Sequence, residues 1–206
     1  MDPLLLIVVC SPSGAGKTTL TRRLLGTFND LTFSVSHTTR KPRTGEVDGQ
    51  DYHFLDRARF ERMVEEGRFA EWAEVHANLY GTSLAELERA RAQGMRGIVF
   101  DIDYQGARQI RAKLPETISI FILPPSLDEL ERRLKGRASD DEEAIARRFR
   151  RARDEIEHYS FFDYVIVNEK VDDAEAQLRG IVYAERCKRW RNAQRAESLL
   201  RNGRVG

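Results

Sequence analysis

One stretch near the start of the chain constrains the fold more than any other. An apolar run, residues 4–10, is followed by a small-residue segment, 11–19, and then by an amphipathic segment that ends at Gly26. The apolar run is too short and too β-branched to cross a membrane, so it predicts a buried strand, and the amphipathic segment predicts a helix. A glycine-rich turn between them lets backbone N–H groups turn inward on an anion, and the helix that follows offers its positive N-terminus to the same anion. The stretch therefore predicts a loop that binds the phosphates of a nucleotide.

The loop departs at one position from the phosphate-loop consensus G-x-x-x-x-G-K-[ST], because Ser11 stands at the first glycine position. A serine there is strained only if the backbone at this position has a positive φ. The rest of the pattern is intact. Lys17 is expected to reach the β- and γ-phosphates, and Thr18 to give Mg²⁺ a hydroxyl ligand. The alternative is a plain glycine-rich turn, but the placement between strand and helix favours the phosphate loop.

A second apolar run, residues 97–103, ends in two aspartates, Asp101 and Asp103. The carboxyl ends of parallel strands meet at one edge of a sheet, so Asp101 is expected beside the loop, where it could hold Mg²⁺ or its water shell. An aspartate at a strand end is also a common start of a turn, and that alternative stays open.

Apolar runs that predict strands alternate along the chain with segments that predict helices. Strands that are apolar on both faces are typical of a parallel sheet covered by helices on each side. We therefore predict one α/β domain, a three-layer phosphate-loop fold with a central parallel sheet, an inserted mixed α+β subdomain and a helical lid. The predicted boundaries are 1–32, 93–125 and 160–206 for the core, 33–92 for the subdomain, and 126–159 for the lid and its flanking helices.

Local signals place several helix ends. Ser83-x-x-Glu86 and Ser126-x-x-Glu129 both match the capping box, in which a serine hydroxyl and a glutamate satisfy the first amides of a helix. Residues 172–201 read as one long helical segment with apolar positions available for packing.

Composition narrows the classes of function. The 34 basic and 33 acidic residues leave a net charge of +1, which does not indicate a general nucleic-acid or membrane surface. The two cysteines lie far apart and the four histidines lack zinc-ligand spacing, so we expect neither a disulfide framework nor a transition-metal site. With no signal peptide and no long apolar span, the expected location is the cytoplasm.

Two arginine clusters have both a functional and an ordinary interpretation. Arg40 and Arg43 flank Pro42, which restricts the backbone, so they could clamp a second phosphate; alternatively they are a solvated charge pair. A further cluster lies between Arg147 and Arg153 on a predicted helix that begins with acidic residues. That order suits the helix dipole, but it also suits a mobile lid that closes over a triphosphate.

The motifs converge when they are taken in order. After the phosphate loop come Ser-His-Thr-Thr-Arg-Lys-Pro-Arg-x-Gly-Glu-x-x-Gly-x-Asp-Tyr-His-Phe, Glu71, Tyr-Gly-Thr-Ser, Asp-Ile-Asp-x-Gln-Gly and Gly-Arg-x-x-Asp. Over nearly its full length the chain resembles the bacterial guanylate kinases. The match through residues 34–54 is far more specific than the phosphate loop, which many nucleotide-hydrolysing proteins share.

The resemblance implies transfer of a phosphoryl group from ATP to GMP, and to dGMP, with Mg²⁺ as cofactor, by a monomer or homodimer without nucleic-acid or membrane partners. It implies a catalytic set of Lys17, Arg40, Arg137 and Arg148. It implies an ATP site of Ser13, Gly14, Ala15, Gly16, Lys17, Thr18, Thr19 and Asn168, with Asn168 near the adenine. It implies a GMP site of Ser36, Arg40, Arg43, Tyr52, Glu71, Tyr80, Gly81, Thr82 and Asp103, and metal ligation by Thr18 and Asp101. Chemistry supports Glu71 independently, because guanine presents N1–H and N2–H₂ donors that one carboxylate can accept together, and adenine has no such edge.

Three other functions remain as alternatives. The fold also resembles the guanylate-kinase-like domains of scaffold proteins, which bind phosphopeptides and have lost ATP-handling groups; Lys17, Thr18 and Asp101 argue against that class. A phosphate-loop kinase for another phosphorylated acceptor, such as a sugar phosphate, is disfavoured by Glu71 together with Ser36 and Tyr80. A nucleic-acid-binding role is supported by the Arg147–Arg153 cluster alone.

Overall fold

The described residues of the computed structural model are 3–75, 77–136 and 142–204. The strands, in chain order, are β1 (Leu5–Cys10), β2 (Leu31–Phe33), β3 (His37–Thr38), β4 (His53–Phe54), β5 (Phe69–Val75), β6 (Asn78–Ser83), β7 (Gly97–Asp101), β8 (Ile118–Leu123) and β9 (Tyr164–Val167). The α-helices are α1 (Lys17–Thr27), α2 (Arg57–Glu65), α3 (Ala85–Ala92), α4 (Tyr104–Lys113), α5 (Leu127–Lys135), α6 (Glu142–Ile156), α7 (Val171–Arg186) and α8 (Arg189–Asn202). A 3₁₀ helix, Glu157–Phe161, connects α6 to β9.

A parallel sheet forms the centre of the molecule, with its strands in the order β2-β7-β1-β8-β9. Strand β1 is buried along its whole length and pairs with β7 on one side and β8 on the other. Alternate residues of β1 therefore point to opposite faces of the sheet, and each face is covered by helices. Leu20 of α1 and Leu178 of α7 pack on one face, and Ile110 of α4 and Leu87 of α3 pack on the other. The predicted three-layer α/β fold is confirmed.

A second, mixed sheet, in the order β4-β3-β6-β5, is inserted between β2 and β7. Its own small core is formed by Phe60 of α2, Phe69 of β5 and Leu79 of β6. Helix α4 of the central fold holds β5 by polar contacts. The Gln109 side chain donates to the Trp72 carbonyl at 2.8 Å and accepts from the Trp72 amide at 3.1 Å, and Lys113 donates to the Phe69 carbonyl at 2.7 Å. The inserted sheet is thus fixed to the central layer along one edge.

One of the two predicted serine caps is present in the structure and the other is not. The Ser126 hydroxyl accepts from the Glu129 amide at 3.1 Å, as a capping serine should, but Ser83 lies at the end of β6 and caps no helix. Glu86 instead accepts the Val35 amide at 2.8 Å and pairs with Arg89. The Glu86 carboxylate thus accepts from a buried backbone amide of the neighbouring loop. The local sequence predicts instead that it accepts from an amide at the start of its own helix.

The C-terminal segment is two helices rather than one. Helix α7 ends at Arg186, Lys188 has extended backbone angles of φ −55° and ψ 134°, and α8 begins at the next residue. The sequence has no glycine or proline at this break, and the helical periodicity continues across it, so the sequence predicts a single helical segment.

Candidate active site

The phosphate loop has the geometry that its glycines require. Gly14 and Gly16 have φ values of 93° and 99°, where a residue with a side chain is strained, and Gly16 is the residue immediately before α1. Ser11 is not strained, because Ala77 is the one non-glycine residue with a positive φ in the described part of the chain. The Ser11 hydroxyl donates to the Pro12 carbonyl at 3.0 Å. The departure from the consensus therefore leaves the loop conformation intact.

The loop is also held from beneath. Asn168 follows β9, is buried, and donates from its side-chain amide to the Ala15 carbonyl at 2.7 Å. Arg133 of α5 donates to the Asn168 carbonyl at 3.3 Å and to the Ala15 carbonyl at 3.5 Å. Asn168 is expected near the adenine, but the structure places it under the loop, and it is not part of the cavity wall described next. Its observed contact fixes the loop backbone.

A cavity of about 530 Å³ opens above the loop. Its lining residues include Ser13, Gly14, Gly16, Lys17, Thr18, Thr19, Asp103, Arg148, Arg151 and Glu155. Lys17 forms an ion pair with Asp101, which ends β7 next to β1. Burial alone would lower the pKa of Lys17, but the charge and hydrogen bond of Asp101 outweigh it and the pKa is raised. Lys17 therefore holds a full positive charge beside the loop.

A second cavity, of about 200 Å³, lies between the inserted sheet and the end of β7. Its lining residues include Ser36, Tyr52, Glu71, Tyr80, Gly81, Asp101, Asp103 and Arg151. Asp103 and Arg151 line both cavities, so the two spaces are neighbours across these side chains. Six of the nine residues predicted for GMP, Asp103 among them, thus lie around one space next to the phosphate loop.

Glu71 is the buried acid of the second cavity. The pairing of β5 with β6 shifts between Phe69 and Glu71, and this irregularity brings Glu71 opposite Thr82. Burial raises the pKa of Glu71 to about 7, against the opposing effect of the Thr82 hydroxyl and amide. Gly106 of α4 lies so close that a Cβ there would come within 3.0 Å of the Glu71 Oε2 atom. The carboxylate is confined, poorly solvated and open to a ligand on the cavity side.

The two arginines of the predicted phosphate clamp differ in their surroundings. Arg40 makes a two-pronged contact with Glu46, at 2.8 and 3.0 Å, and its guanidinium lies 5.3 Å from the centre of the Tyr52 ring. The Arg43 side chain is exposed; its backbone amide donates to Glu46 at 2.8 Å. Neither arginine is on the wall of the second cavity, and Thr82 lies behind Glu71. Glu46, which sequence reasoning did not single out, therefore organises this loop.

The arginine-rich segment contacts the phosphate loop directly. Helix α6 packs on α5 through Phe149 and Ala152, and Arg148 of the same helix donates to the Ser13 hydroxyl at 3.1 Å. Arg137, the other predicted lid arginine, lies outside the described residues. Arg151, one turn beyond Arg148, lines both cavities and donates to Glu155 at 3.2 Å. The sequence does not distinguish Arg151 from its neighbours, because the cluster consists of several arginines on one helix.

Comparison with known proteins gives a consistent result. A family model described as guanylate kinase matches residues 4–185. The chain belongs to the guanylate kinase family. It is 50% identical over 196 residues to the guanylate kinase of Syntrophotalea carbinolica, covering 95% of this chain and 93% of that one. It is 53% identical over 181 residues to that of Nitratidesulfovibrio vulgaris, covering 88% and 87%.

A solved guanylate kinase has the same fold. The crystal structure of the guanylate kinase from Anaplasma phagocytophilum superposes with a TM-score of 0.77 and 33% identity, over 100% of this chain and 98% of that one. The resemblance seen in the sequence is thereby confirmed at the level of family, fold and enzyme class. Within the described residues, no helix has the length and apolar character to span a membrane.

Proposed function

We propose that this guanylate kinase family member transfers the γ-phosphoryl group of ATP to GMP, and to dGMP, in purine nucleotide metabolism in the cytoplasm. The observation that carries the proposal is the pair of cavities that meet at Asp103 and Arg151, one over a phosphate loop and one around a buried carboxylate. The first suits a triphosphate, and the second offers the acceptor that guanine N1–H and N2–H₂ require. We further propose that the enzyme works as a monomer or homodimer.

The proposed reaction is a direct in-line displacement. An oxygen of the GMP phosphate forms a bond to the γ-phosphorus of ATP while the bond from that phosphorus to the β,γ-bridging oxygen breaks, and the electron pair leaves with ADP. The acceptor oxygen is already anionic near neutral pH, so no general base is required. The protein must instead align two polyanions and offset their charge.

We assign cationic side chains to the charge that develops during transfer. Lys17 and Arg148 lie at the phosphate loop, and we assign Arg40 and Arg43 to the acceptor phosphate together with the hydroxyls of Tyr52 and Tyr80. Arg137 is assigned to the transferring group as a prediction from the family motif. Closure of α6 over the loop would exclude water, which would otherwise take the phosphoryl group.

The residues present fit Mg²⁺. The Thr18 hydroxyl lines the first cavity and the Asp101 carboxylate lies at the adjoining strand end, and oxygen donors of this kind are what Mg²⁺ prefers. No group of three or more metal-binding side chains occurs within the described ranges, which suits an ion held mostly by nucleotide phosphates and water. Bound there with ATP, the ion would neutralise phosphate charge. Lys17 holds Asp101 in place at that strand end.

The first test is ADP formation from ATP and Mg²⁺ with GMP, dGMP, AMP, CMP, UMP or no acceptor. We expect activity confined to GMP and dGMP, and a Lys17→Ala variant that binds GMP normally but loses about a thousandfold or more in turnover. Near-normal turnover of that variant would remove Lys17 from the mechanism. GMP binding without activity towards any acceptor would instead favour a non-catalytic binding module.

The stereochemistry of the reaction tests the in-line displacement. With ATP that is chiral at the γ-phosphorus, in-line transfer inverts the configuration at that phosphorus, and retention would contradict it.

The Glu71→Gln variant tests whether Glu71 recognises the guanine base. An amide cannot accept both guanine donors, so we expect the GMP concentration needed for half-maximal rate to rise by about 10- to 100-fold while AMP is discriminated against less strongly. The ratio of kcat/KM for GMP to that for AMP is the measurement. An unchanged ratio would show that guanine is recognised elsewhere.

A further inference from the structure

A third cavity lies at the opposite end of the central sheet from the phosphate loop. It has a volume of about 480 Å³, within the range of about 300–1,000 Å³ that is usual for small-molecule sites. The start of β1, the turn after α3 and the junction of α7 with α8 form its walls. Its lining residues are Pro3, Leu4, Leu5, Arg91, Gly94, Met95, Arg96, Arg186, Arg191 and Asn192.

The charge of this cavity is one-sided. Its described lining contains four arginines and no carboxylate, although the whole chain has 33 acidic residues against 34 basic ones. Arg186 is paired, since it donates to Asp30 at 2.8 Å. Asp30 offsets Arg186 from outside the lining, but no acidic side chain of the described residues lines the cavity beside the other three arginines, so the arrangement favours an anionic occupant.

Arg191 is the most unusual member of the set. It is only 7% exposed, and one of its terminal nitrogens donates to the Pro3 carbonyl at 3.2 Å, while its Nε and second terminal nitrogen are buried without a hydrogen-bond partner. Burial lowers the pKa of Arg191, against the opposing charges of Glu185 and Glu116. A buried guanidinium with incomplete pairing is costly unless a ligand compensates its charge.

The position of Arg191 within α8 adds an independent argument. Arg189 and Arg191 lie in the first turn of this helix, which contains no acidic residue. The N-terminus of a helix carries a partial positive charge, so two arginines there are unfavourable in the protein alone and favourable next to an anion.

We propose that this cavity, the α3/α8 arginine pocket, binds the phosphate group of a small molecule. Planar guanidinium groups match phosphate oxygens in a two-pronged geometry, and the apolar floor of Leu4, Leu5 and Met95 keeps water from weakening the contact. The ligand is either free inorganic phosphate or pyrophosphate, or a phosphate carried by an organic molecule. The site is separate from both cavities of the proposed reaction.

The protein contains its own reporter for this site. Of its two tryptophans, Trp190 lies with its ring centre 4.1 Å from the Arg191 guanidinium carbon, and Trp72 is in the inserted sheet. In a Trp72→Phe background, Trp190 emission is followed while inorganic phosphate, pyrophosphate or ribose 5-phosphate is added, with chloride holding the ionic strength constant. We expect a saturable change with at least one of the three, and the arm that responds most strongly identifies the source of the phosphate.

Matched variants decide the assignment. Arg191→Met should weaken the response at least about tenfold, because a charge-assisted phosphate contact is lost. Arg195→Met, one turn along the same helix and exposed, should leave it unchanged. Arg91→Met, an exposed change on the wall of the pocket, provides a second weakening variant if Arg191→Met fails to fold. No saturable change in any arm, or an equal response with Arg191→Met or Arg91→Met, would overturn the proposal.

Discussion

At the scale of single residues, Glu71 shows how a binding group can reduce stability. Its pKa is raised from 4.5 to about 7, so the folded protein holds the proton more tightly than the unfolded chain does. The cost of burying the carboxylate is therefore absent below pH 4.5, grows as the pH rises, and is complete above about pH 7. A carboxylate that we propose accepts the guanine donors thus opposes folding at neutral pH in the absence of ligand.

The same change of Glu71 to glutamine should consequently stabilise the ligand-free protein. We expect a gain in the free energy of unfolding of up to about 3 kcal/mol at about pH 8, falling towards zero near pH 4.5. Denaturant unfolding at both pH values measures it. His37, whose pKa burial lowers to about 4, gives the opposite pH dependence, but it is present in both proteins and cancels in the difference. Equal stabilities at about pH 8 would contradict the buried-carboxylate interpretation.

Gly106 should matter chiefly through Glu71, whose Oε2 atom would be the nearest neighbour of a Cβ at this position, ahead of the Ile102 Cβ at 3.3 Å. In Gly106→Ala the new Cβ would press on the Glu71 carboxylate, at 3.0 Å from Oε2, so we expect a severalfold to about tenfold rise in the KM for GMP with little change in the KM for ATP. Gly180→Ala is the control, because this helical glycine has open space around its Cβ position. It should leave both KM values unchanged and stabilise the protein by about 0.5–1 kcal/mol. Parallel rises in both KM values for Gly106→Ala would indicate a general distortion.

At the scale of elements, α6 presents several arginines that the sequence cannot rank. Arg151 lines both cavities, whereas Arg147 is largely exposed and lies 3.9 Å from Glu143. We expect Arg151→Gln to lower kcat by about 10- to 100-fold, because a cation between the two polyanions is lost, and Arg147→Gln to have little effect. Steady-state kinetics with both substrates saturating measures it. Equal effects of the two variants would show that the helix contributes only its overall charge.

Elements with local causes could be predicted, and those with distant causes could not. The strand, loop and helix around Lys17 follow from an apolar run and two glycines, and Ser126 caps α5 as its spacing predicts. Ser83 and Glu86 do not form the predicted capping box, because Glu86 accepts a hydrogen bond from the backbone amide of Val35, 51 residues away in the sequence. The roles of Gly106 and Arg151 likewise depend on which elements pack together, which one sequence does not state.

At the scale of the whole molecule, the two cavities assigned to the proposed substrates both lie at the carboxyl edge of the central sheet. That placement could be predicted, because parallel strands collect their polar ends at one edge and ligands bind there. The angle of the inserted sheet could not, since it rests on the side-chain contacts of Gln109 and Lys113 with the β5 backbone. The α3/α8 arginine pocket could not be predicted either, because its four arginines are spread over a hundred residues of sequence.

The support beneath the phosphate loop has a consequence for the timing of a catalytic cycle. Asn168 and Arg133 hold the Ala15 carbonyl, and Gly14 and Gly16 have the positive φ values that such a loop requires. We therefore expect that nucleotide binding requires no ordering of this loop, so no slow phase should accompany ATP binding. On the proposed function, the rate of each cycle would then depend on movement of α6 and the inserted sheet, and above all on the release of products.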